Sequence, residues 1–449
     1  MRKDKYDLIV AGGGFSGAAA ALAAAREGLS VLLVEQGNCL GGAAANCLVN
    51  PFMPFWTGVP DKSGVAASDG GEGAGAGAGG GRERNRLYLS AGIFREILDG
   101  LRQAGALDVN GMTFDEEYLK LLLNRMIARA GVTPLFHTLL AGAESSGGAV
   151  GGVDVANKSG CSRLYADYYI DATGDGDLAA MCGFPFRLGR ERDGLCQPMT
   201  LCFRMANVDL EAFQRSRHLI NPLYKELRAQ GKIKNIREDV LIFPTLVDGA
   251  LHFNSTRIVR KNPVDAYDVT QAEMEAREQA YELHAFLRDR IDGFQNSKII
   301  MTAPSIGVRE SRKIIGEYTL TADDLKACVK FDDAVATGNY DIDIHNPEGS
   351  GTSHYYFAEG EYYTIPYRSL IPKGSVNLLT AGRCISATHE AQASIRIIPI
   401  ACCTGEAAGV ATAVAHRQAQ TTSAEKAGVA NASIAEIQAI LRARGAFIM

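Results

Sequence analysis

Gly12, Gly14 and Gly17 stand at G-x-G-x-x-G spacing, and Glu35 closes the second apolar run that follows them. These four residues are the parts needed to hold a pyrophosphate and a ribose. The first glycine allows a tight turn, the second lets backbone approach the phosphates, and the third lets a helix pack closely on the strand before it. A carboxylate at the end of the second strand accepts hydrogen bonds from ribose hydroxyls and repels a 2′-phosphate. Glycine spacing alone is weak evidence. Here it lies between the apolar run Leu8–Ala11 and the alanine-rich stretch Ala18–Arg26, with Gly28 placed to end the helix and Ser30–Val34 reading as a second buried strand. Strand, glycines, helix, strand and acid agree on a dinucleotide.

A second set of residues could move protons or hold charge. Of the eight histidines, His345 in DIHNP and His389 in SATHEA come shortly before a helix that opens near Pro399. Each is either a general acid or base, or a structural histidine satisfied by its neighbours. Arg309 and Arg312 in VRESR, together with Arg396, suit an anionic substrate or a developing negative charge. The alternative for Arg309 and Arg312 is an internal ion pair with Glu310 or Glu317. Asn254 and Arg257 in NSTR are candidate substrate contacts or solvated strand positions. Tyr367 is a candidate hydrogen-bond donor or an ordinary buried tyrosine.

The elements that must position these residues follow from periodicity and punctuation. Tyr168–Gly176, YYIDATGDG, reads as a buried strand ending in the small-residue turn Ala172-Thr173-Gly174, with Asp175 or Asp177 capping the next helix. Val376–Ala381 reads as another strand, Gly382-Arg383 turns beyond it, and Pro399 is placed to begin a helix reaching His416, whose free N–H groups and positive end suit a negative charge. Helices are also expected over 90–103, from a Thr113–Glu116 capping box to Arg129, over 270–290 and from a Ser433 cap. Val132–Leu140 reads as one strand. The fold class is α/β: residues 1–197 and 367–449 form a nucleotide domain around a parallel sheet, and 198–366 form an inserted α+β substrate domain with a mainly antiparallel sheet. The Gly/Ala-rich stretch from Gly58 to Arg86 cannot bury enough apolar surface to fold by itself and reads as a flexible surface insertion, or as a lid.

Bulk properties narrow the partners. The chain has 449 residues, 47% of them hydrophobic, and a net charge of −5, with basic residues scattered rather than clustered. That argues against a nucleic-acid surface and for a small-molecule substrate. The longest apolar stretch is interrupted by Glu406, so no membrane span and a cytoplasmic location are expected. Ten cysteines include no C-x-x-C and no paired ligand set, so no metal is expected. Cys39 and Cys47 are too far apart for a dithiol relay, and the adjacent Cys402 and Cys403 read as packing residues.

Taken in order, IVAGGGFSG, VEQ followed by LGG, IDATGDGDLAA, IGVRESRKIIGEYTLT, IDIHNPEG, IPYRSLIPKG and NLLTAGRCISATHEAQASIR resemble bacterial FAD-dependent oxidoreductases of the fumarate-reductase-like branch of the glutathione-reductase superfamily. The resemblance covers nearly the whole chain and favours FAD over NAD. It implies cofactor contacts at Gly12, Gly14, Phe15, Ser16, Gly17, Glu35, Gln36, Gly41, Gly42, Ala43, Ala172, Thr173, Gly174, Gly382, Arg383, Arg396 and Ile398, with backbone near Leu140 meeting the adenine. Ala43-Ala44-Ala45 departs from that pattern, lacking the hydroxyl often found after the paired glycines.

The activity expected is hydride transfer between a small polar organic substrate and flavin N5, with His345, His389, Arg309 and Arg396 as the catalytic candidates and Asn254, Arg257 and Tyr367 facing substrate. Electrons come from the substrate or pass to an acceptor partner protein, since no second βαβ fingerprint is present. A monooxygenase is disfavoured, because the Gly-Asp pair of that class is replaced by Gly382-Arg383. A non-catalytic redox sensor or assembly factor is the alternative from another class.

Overall fold

The computed structural model describes residues 5–58, 86–421 and 428–448. The Gly/Ala-rich insertion therefore lies outside the described residues except at its ends. There, Trp56–Gly58 pairs antiparallel with Arg86–Tyr88, bringing Gly58 opposite Arg86.

Five parallel strands make the central sheet, in the order Leu378–Thr380, Ala166–Asp171, Tyr6–Ala11, Val31–Val34 and Thr133–Leu135. Both faces are covered, so the strands read as continuous apolar runs. Leu8 and Val10 face the core built on the helices Phe15–Arg26 and Ile398–Thr421. Ile9 and Ala11 face a second core, shared with the antiparallel strands Leu139–Ser146 and Ala149–Asn157 and the short helix Asp177–Met181. The chain order reverses between the first strand and Ala166–Asp171, and ligands of such sheets bind at that switch point, beyond the strand ends.

The inserted unit is an antiparallel sheet in the order Ile242–Pro244, Leu251–Phe253, Phe203–Ala206, Lys298–Thr302. The helices Leu210–Ala229 and Ala266–Arg290 pack on it around Phe203, Phe213, Tyr224, Phe253, Leu283 and Phe294. The α/β class with an antiparallel insertion is as expected. The insertion is shorter than 198–366, however. Leu320, Val335, Ile342, Tyr363 and Ile365 all pack into the core of the parallel-sheet domain, so the chain rejoins it well before 366.

Three local readings are corrected. Asp115, not Thr113, caps the helix Glu116–Arg129, accepting from the Glu117 and Tyr118 amides; Thr113 is held in a turn where its carbonyl accepts from the Asp108 N–H. Val132–Leu140 is not one strand, because His137 takes φ +50° and turns the chain between the parallel sheet and the antiparallel one. Neither Asp175 nor Asp177 caps the helix Asp177–Met181. Gly176 occupies the cap at φ +67°, and the Thr173 hydroxyl and the Asp171 carboxylate take the Asp177 and Ala179 amides.

Candidate functional site

The glycine loop is closed so tightly that side chains are excluded from it. A Cβ on Gly12 would lie 2.4 Å from the Ala172 carbonyl oxygen, one on Gly17 would lie 1.8 Å from the Gly12 carbonyl oxygen, and one on Gly42 would lie 2.8 Å from Gly14 Cα. The Gly41 N–H donates to the Gly13 carbonyl at 2.9 Å, laying the Gly41-Gly42 turn beside the loop. The helix that follows has glycine, Gly14, at its cap and so no side-chain cap, and its positive dipole end faces the loop. Phe15 and Ser16 form its buried first turn.

Glu35 is buried at the end of Val31–Val34. Its Oε2 accepts from the Gly13 N–H and its Oε1 from the Gly37 N–H, both at 2.6 Å. Gln36 is exposed beside it, and the Thr138 N–H donates to the Glu35 carbonyl, so the segment leading to Leu140 runs along this edge. Sequence reasoning missed Gly37, whose only signal is its place after the acid.

Two further loops converge on the same end of the sheet. The Ala172 N–H donates to the Ala11 carbonyl and the Ala381 N–H to the Asp171 carbonyl, which aligns the Ala172-Thr173-Gly174 and Gly382-Arg383 turns with the glycine loop. Burial raises the Asp171 carboxyl to about 6. The Arg383 guanidinium does not face outward; it pairs with Asp175 at 2.8 Å and the Ser311 hydroxyl at 2.9 Å. The helix Ile398–Thr421 crosses Phe15–Arg26 backbone to backbone, since a Cβ on Gly405 would lie 2.0 Å from the Ser16 carbonyl oxygen and one on Gly409 would lie 2.3 Å from that of Ala20. The stretch around Gly405 is thereby held against the first turn of the other helix, and Ala43 opens a short helix after Gly42. This late helix is long and apolar enough to cross a membrane, yet it is a core helix buried along most of its length.

On the side facing the inserted unit, the structure gathers four arginines. Arg309 Nη1 donates to the Pro198 carbonyl at 2.7 Å and the Thr200 hydroxyl at 2.5 Å, and its Nη2 reaches Asn254 Oδ1 at 3.4 Å. Among the described residues it has no carboxylate partner. Its pKa is pushed down to about 9, by burial first and then by the charges of Arg396 and Arg237. Arg396 Nη2 reaches Asp343 at 3.3 Å, and Arg257 pairs with Glu238 at 2.5 Å while donating to the Gly351 carbonyl. Gln392 donates to the Arg309 carbonyl, fixing the loop that carries it. Buried polar atoms here lack hydrogen-bond partners among the described residues: Nε of Arg257 and of Arg396, Nε2 of Gln197 and Oδ1 of Asp343. Buried groups of this kind are normally satisfied by protein or by ordered water.

The two candidate histidines have different surroundings. His345 is buried between Asp343 Oδ2, 3.2 Å from Nε2, and the Thr352 hydroxyl, 3.1 Å from Nδ1. Burial, then Arg309, lowers its pKa to about 3, so it is neutral at ordinary pH. His389 is tied by Nδ1 to Glu310 at 2.8 Å, and Glu310 also holds Lys313 at 2.5 Å and the Gln197 N–H at 3.0 Å. That buried network is the structural alternative for His389.

Three expectations fail on geometry. Arg312 pairs with Asp177 at 2.8 Å rather than with Glu310 or Glu317. Arg257 is 1% exposed and lies beyond the end of its strand, so it is no solvated strand position. Tyr367 is not at the site; its hydroxyl donates to the Val429 carbonyl at 2.8 Å, at the opposite end of the late helix from Ile398. Missed altogether were Asp343, Thr352, Glu238 and Gln197. For Asp343 a signal existed in the alternation of DIDIH, which puts Asp341, Asp343 and His345 on one face of a strand.

Residues 7–441 match the family model described as FAD dependent oxidoreductase. The chain belongs to this family. The FAD dependent oxidoreductases take FAD, and the tight glycine loop, the buried Glu35 and the uncapped helix end are a cradle that fits it. No curated protein matches the chain. Among solved structures it is similar to a geranylgeranyl bacteriochlorophyll reductase-like protein from Thermoplasma acidophilum, at 13% identity and TM-score 0.46 over 98% of this chain and 84% of that one. It is also similar to a flavin-dependent brominase, at 12% identity and TM-score 0.43 over 98% and 83%. A third similar structure is a p-nitrophenol 4-monooxygenase from Pseudomonas putida, at 9% identity and TM-score 0.43 over 98% and 87%.

Proposed function

We propose that this FAD dependent oxidoreductase is a two-electron dehydrogenase or reductase acting on a small organic anion. The observation that carries the reading is Arg309, a half-buried guanidinium with no carboxylate partner among the described residues, grouped with Arg396, Arg257 and Arg237. A cation partly withdrawn from water and set among other cations is costly unless an anion meets it. Bound FAD supplies the acceptor or donor of the electron pair. Gly12, Gly14, Ser16, Glu35, Gly42 and Gly382 would hold it, and Arg396, just ahead of Ile398, joins the two halves of the site. The arginines bind and orient the substrate, the inserted unit excludes water, and neutral His345 accepts or returns the proton that accompanies transfer. The fumarate-reductase-like branch and an acceptor partner protein belong to this reading.

Anaerobic titration with a panel of small carboxylates and their hydroxylated or unsaturated forms tests it. Bleaching of the oxidised flavin band by one class, or reoxidation of reduced flavin by another, supports the proposal. Flavin reduction that requires a pyridine nucleotide and consumes oxygen stoichiometrically with substrate would instead support a monooxygenase.

A further inference from the structure

The strand Ile342–His345 pairs antiparallel with Thr352–Tyr355 in a register that sets Asp343 opposite His354 and His345 opposite Thr352. Because side chains alternate along a strand, these four groups share one face, with Ile342 packed into the core on the other. Exposure falls along this face toward the arginines: 34% for the His354 side chain, 14% for Asp341, then 10% for both Asp343 and His345. His354 Nδ1 meets Asp341 at 2.5 Å, and its Nε2 stands 3.8 Å from Asp343 Oδ1, a buried oxygen without a hydrogen-bond partner among the described residues. A small ring movement or one water closes that gap.

Counting protons at the inner end shows one too few. Thr352 has a single hydroxyl proton but two neighbours that can take it, Glu238 Oε1 at 2.9 Å and His345 Nδ1 at 3.1 Å. The charges of Arg257 and Arg237 help hold Glu238 ionised, as an acceptor only. When Thr352 donates to Glu238, His345 must donate from Nδ1 to Thr352 and from Nε2 to Asp343. A neutral ring carries one of those protons; an imidazolium carries both. What opposes the second proton is burial together with the positive charges of Arg309 and Arg396. Gln197 Oε1 accepts from the main-chain N–H of His345, the Tyr340 hydroxyl donates to Asp343 Oδ2 at 3.1 Å, and the Asp341–His354 pair stands at the outer end.

We infer that His345 takes up one proton, delivered through His354 and Asp343, when an anion occupies the Arg309–Arg396 cluster. The inference rests on the anion-site reading above. The anion removes the part of the penalty that Arg309 and Arg396 add to that of burial, and the proton completes the hydrogen bonds to Asp343 and Thr352. Anion and proton therefore bind together.

The test uses the FAD-loaded protein and two probes whose own charge is constant near neutrality, oxalate and sulfate. Binding heats in buffers of different ionisation enthalpy give the protons taken up. Proton uptake on anion binding is expected, rising toward one proton per anion as pH falls, with affinity increasing by up to about tenfold for each unit fall in pH, the limit for linkage of one proton. His345→Gln should still bind the anion with uptake near zero, and His354→Gln should reach the same uptake more slowly in an indicator stopped-flow trace, with rescue by imidazole. Binding without uptake in the unaltered protein, or uptake that survives His345→Gln, overturns the proton inference alone. If neither anion binds at any pH, the anion-site reading falls and the inference with it. Should His345→Gln fail to hold FAD, the pH dependence of binding in the unaltered protein still decides.

Discussion

Glu406, in the third turn of the late helix, caps a different helix: its carboxylate accepts the Ile93 N–H at 3.0 Å, at the start of Ile93–Gln103. Gly92 is required beside it, at φ +61°, where a Cβ would lie 2.3 Å from the carboxylate.

Burial raises the Glu406 carboxyl from 4.5 to about 7. The folded state then holds a proton that the unfolded chain releases, so this group's contribution to stability is complete below pH 4.5 and is lost as pH rises through 7. Glu406→Gln should remove that dependence. Denaturant unfolding of the two proteins at pH 4.5 and pH 8 should show the variant gaining about 3 kcal/mol relative to the parent across the interval. Parallel pH profiles would refute the assignment.

Gly17→Ala should yield a folded but largely colourless protein. The new methyl would meet the Gly12 carbonyl oxygen at 1.8 Å, which forces the loop outward, at a cost of about 1–3 kcal/mol. FAD affinity should fall on the order of tenfold or more. Gly28→Ala is the control: its φ of +95° costs about 1–2 kcal/mol of stability, but nothing lies near the added carbon, and FAD content should not change. The ratio of flavin to protein absorbance reads both.

Glu35→Ala should weaken FAD binding more than it weakens the fold. The carboxylate fixes the Gly13 and Gly37 amides, and hydrogen bonds to a charged group contribute about 1.5–3 kcal/mol. Titrating apoprotein with FAD and following flavin fluorescence should give a Kd higher by about tenfold to a hundredfold.

Arg309→Met should raise the melting temperature while abolishing anion binding. It removes a half-buried charge that has no carboxylate partner among the described residues and keeps most of the side-chain volume. FAD content should be unaltered. A variant that melts earlier and still binds sulfate as the parent does would show that Arg309 only braces Pro198 and Thr200.

The nucleotide cradle was legible because its constraints are local. Gly12, Gly17 and Glu35 each answer to backbone a few residues or one strand away, and their types leave little choice. Arg309 and Arg312 show where this ends. Both are arginines in one short segment, yet one faces Thr200 and Asn254 of the insertion and the other Asp177 of the nucleotide domain, a division set by tertiary contacts. His345 was identifiable by type, but Thr352 reaches it by cross-strand register and Glu238 by way of the insertion, neither of which a linear pattern carries. Thr113 lost the cap to Asp115 because both have the chemistry and the preceding turn decides between them.

The contact of Gly405 and Gly409 with the backbone of Ser16 and Ala20 has a mechanical consequence. Two rods that touch main chain to main chain cannot slide without steric overlap, so the glycine loop ahead of one and the Gly382-Arg383 turn beside the other keep a constant spacing. Arg204 of the inserted sheet pairs with Glu116, the first residue of a helix packed on the same core, at 2.5 Å.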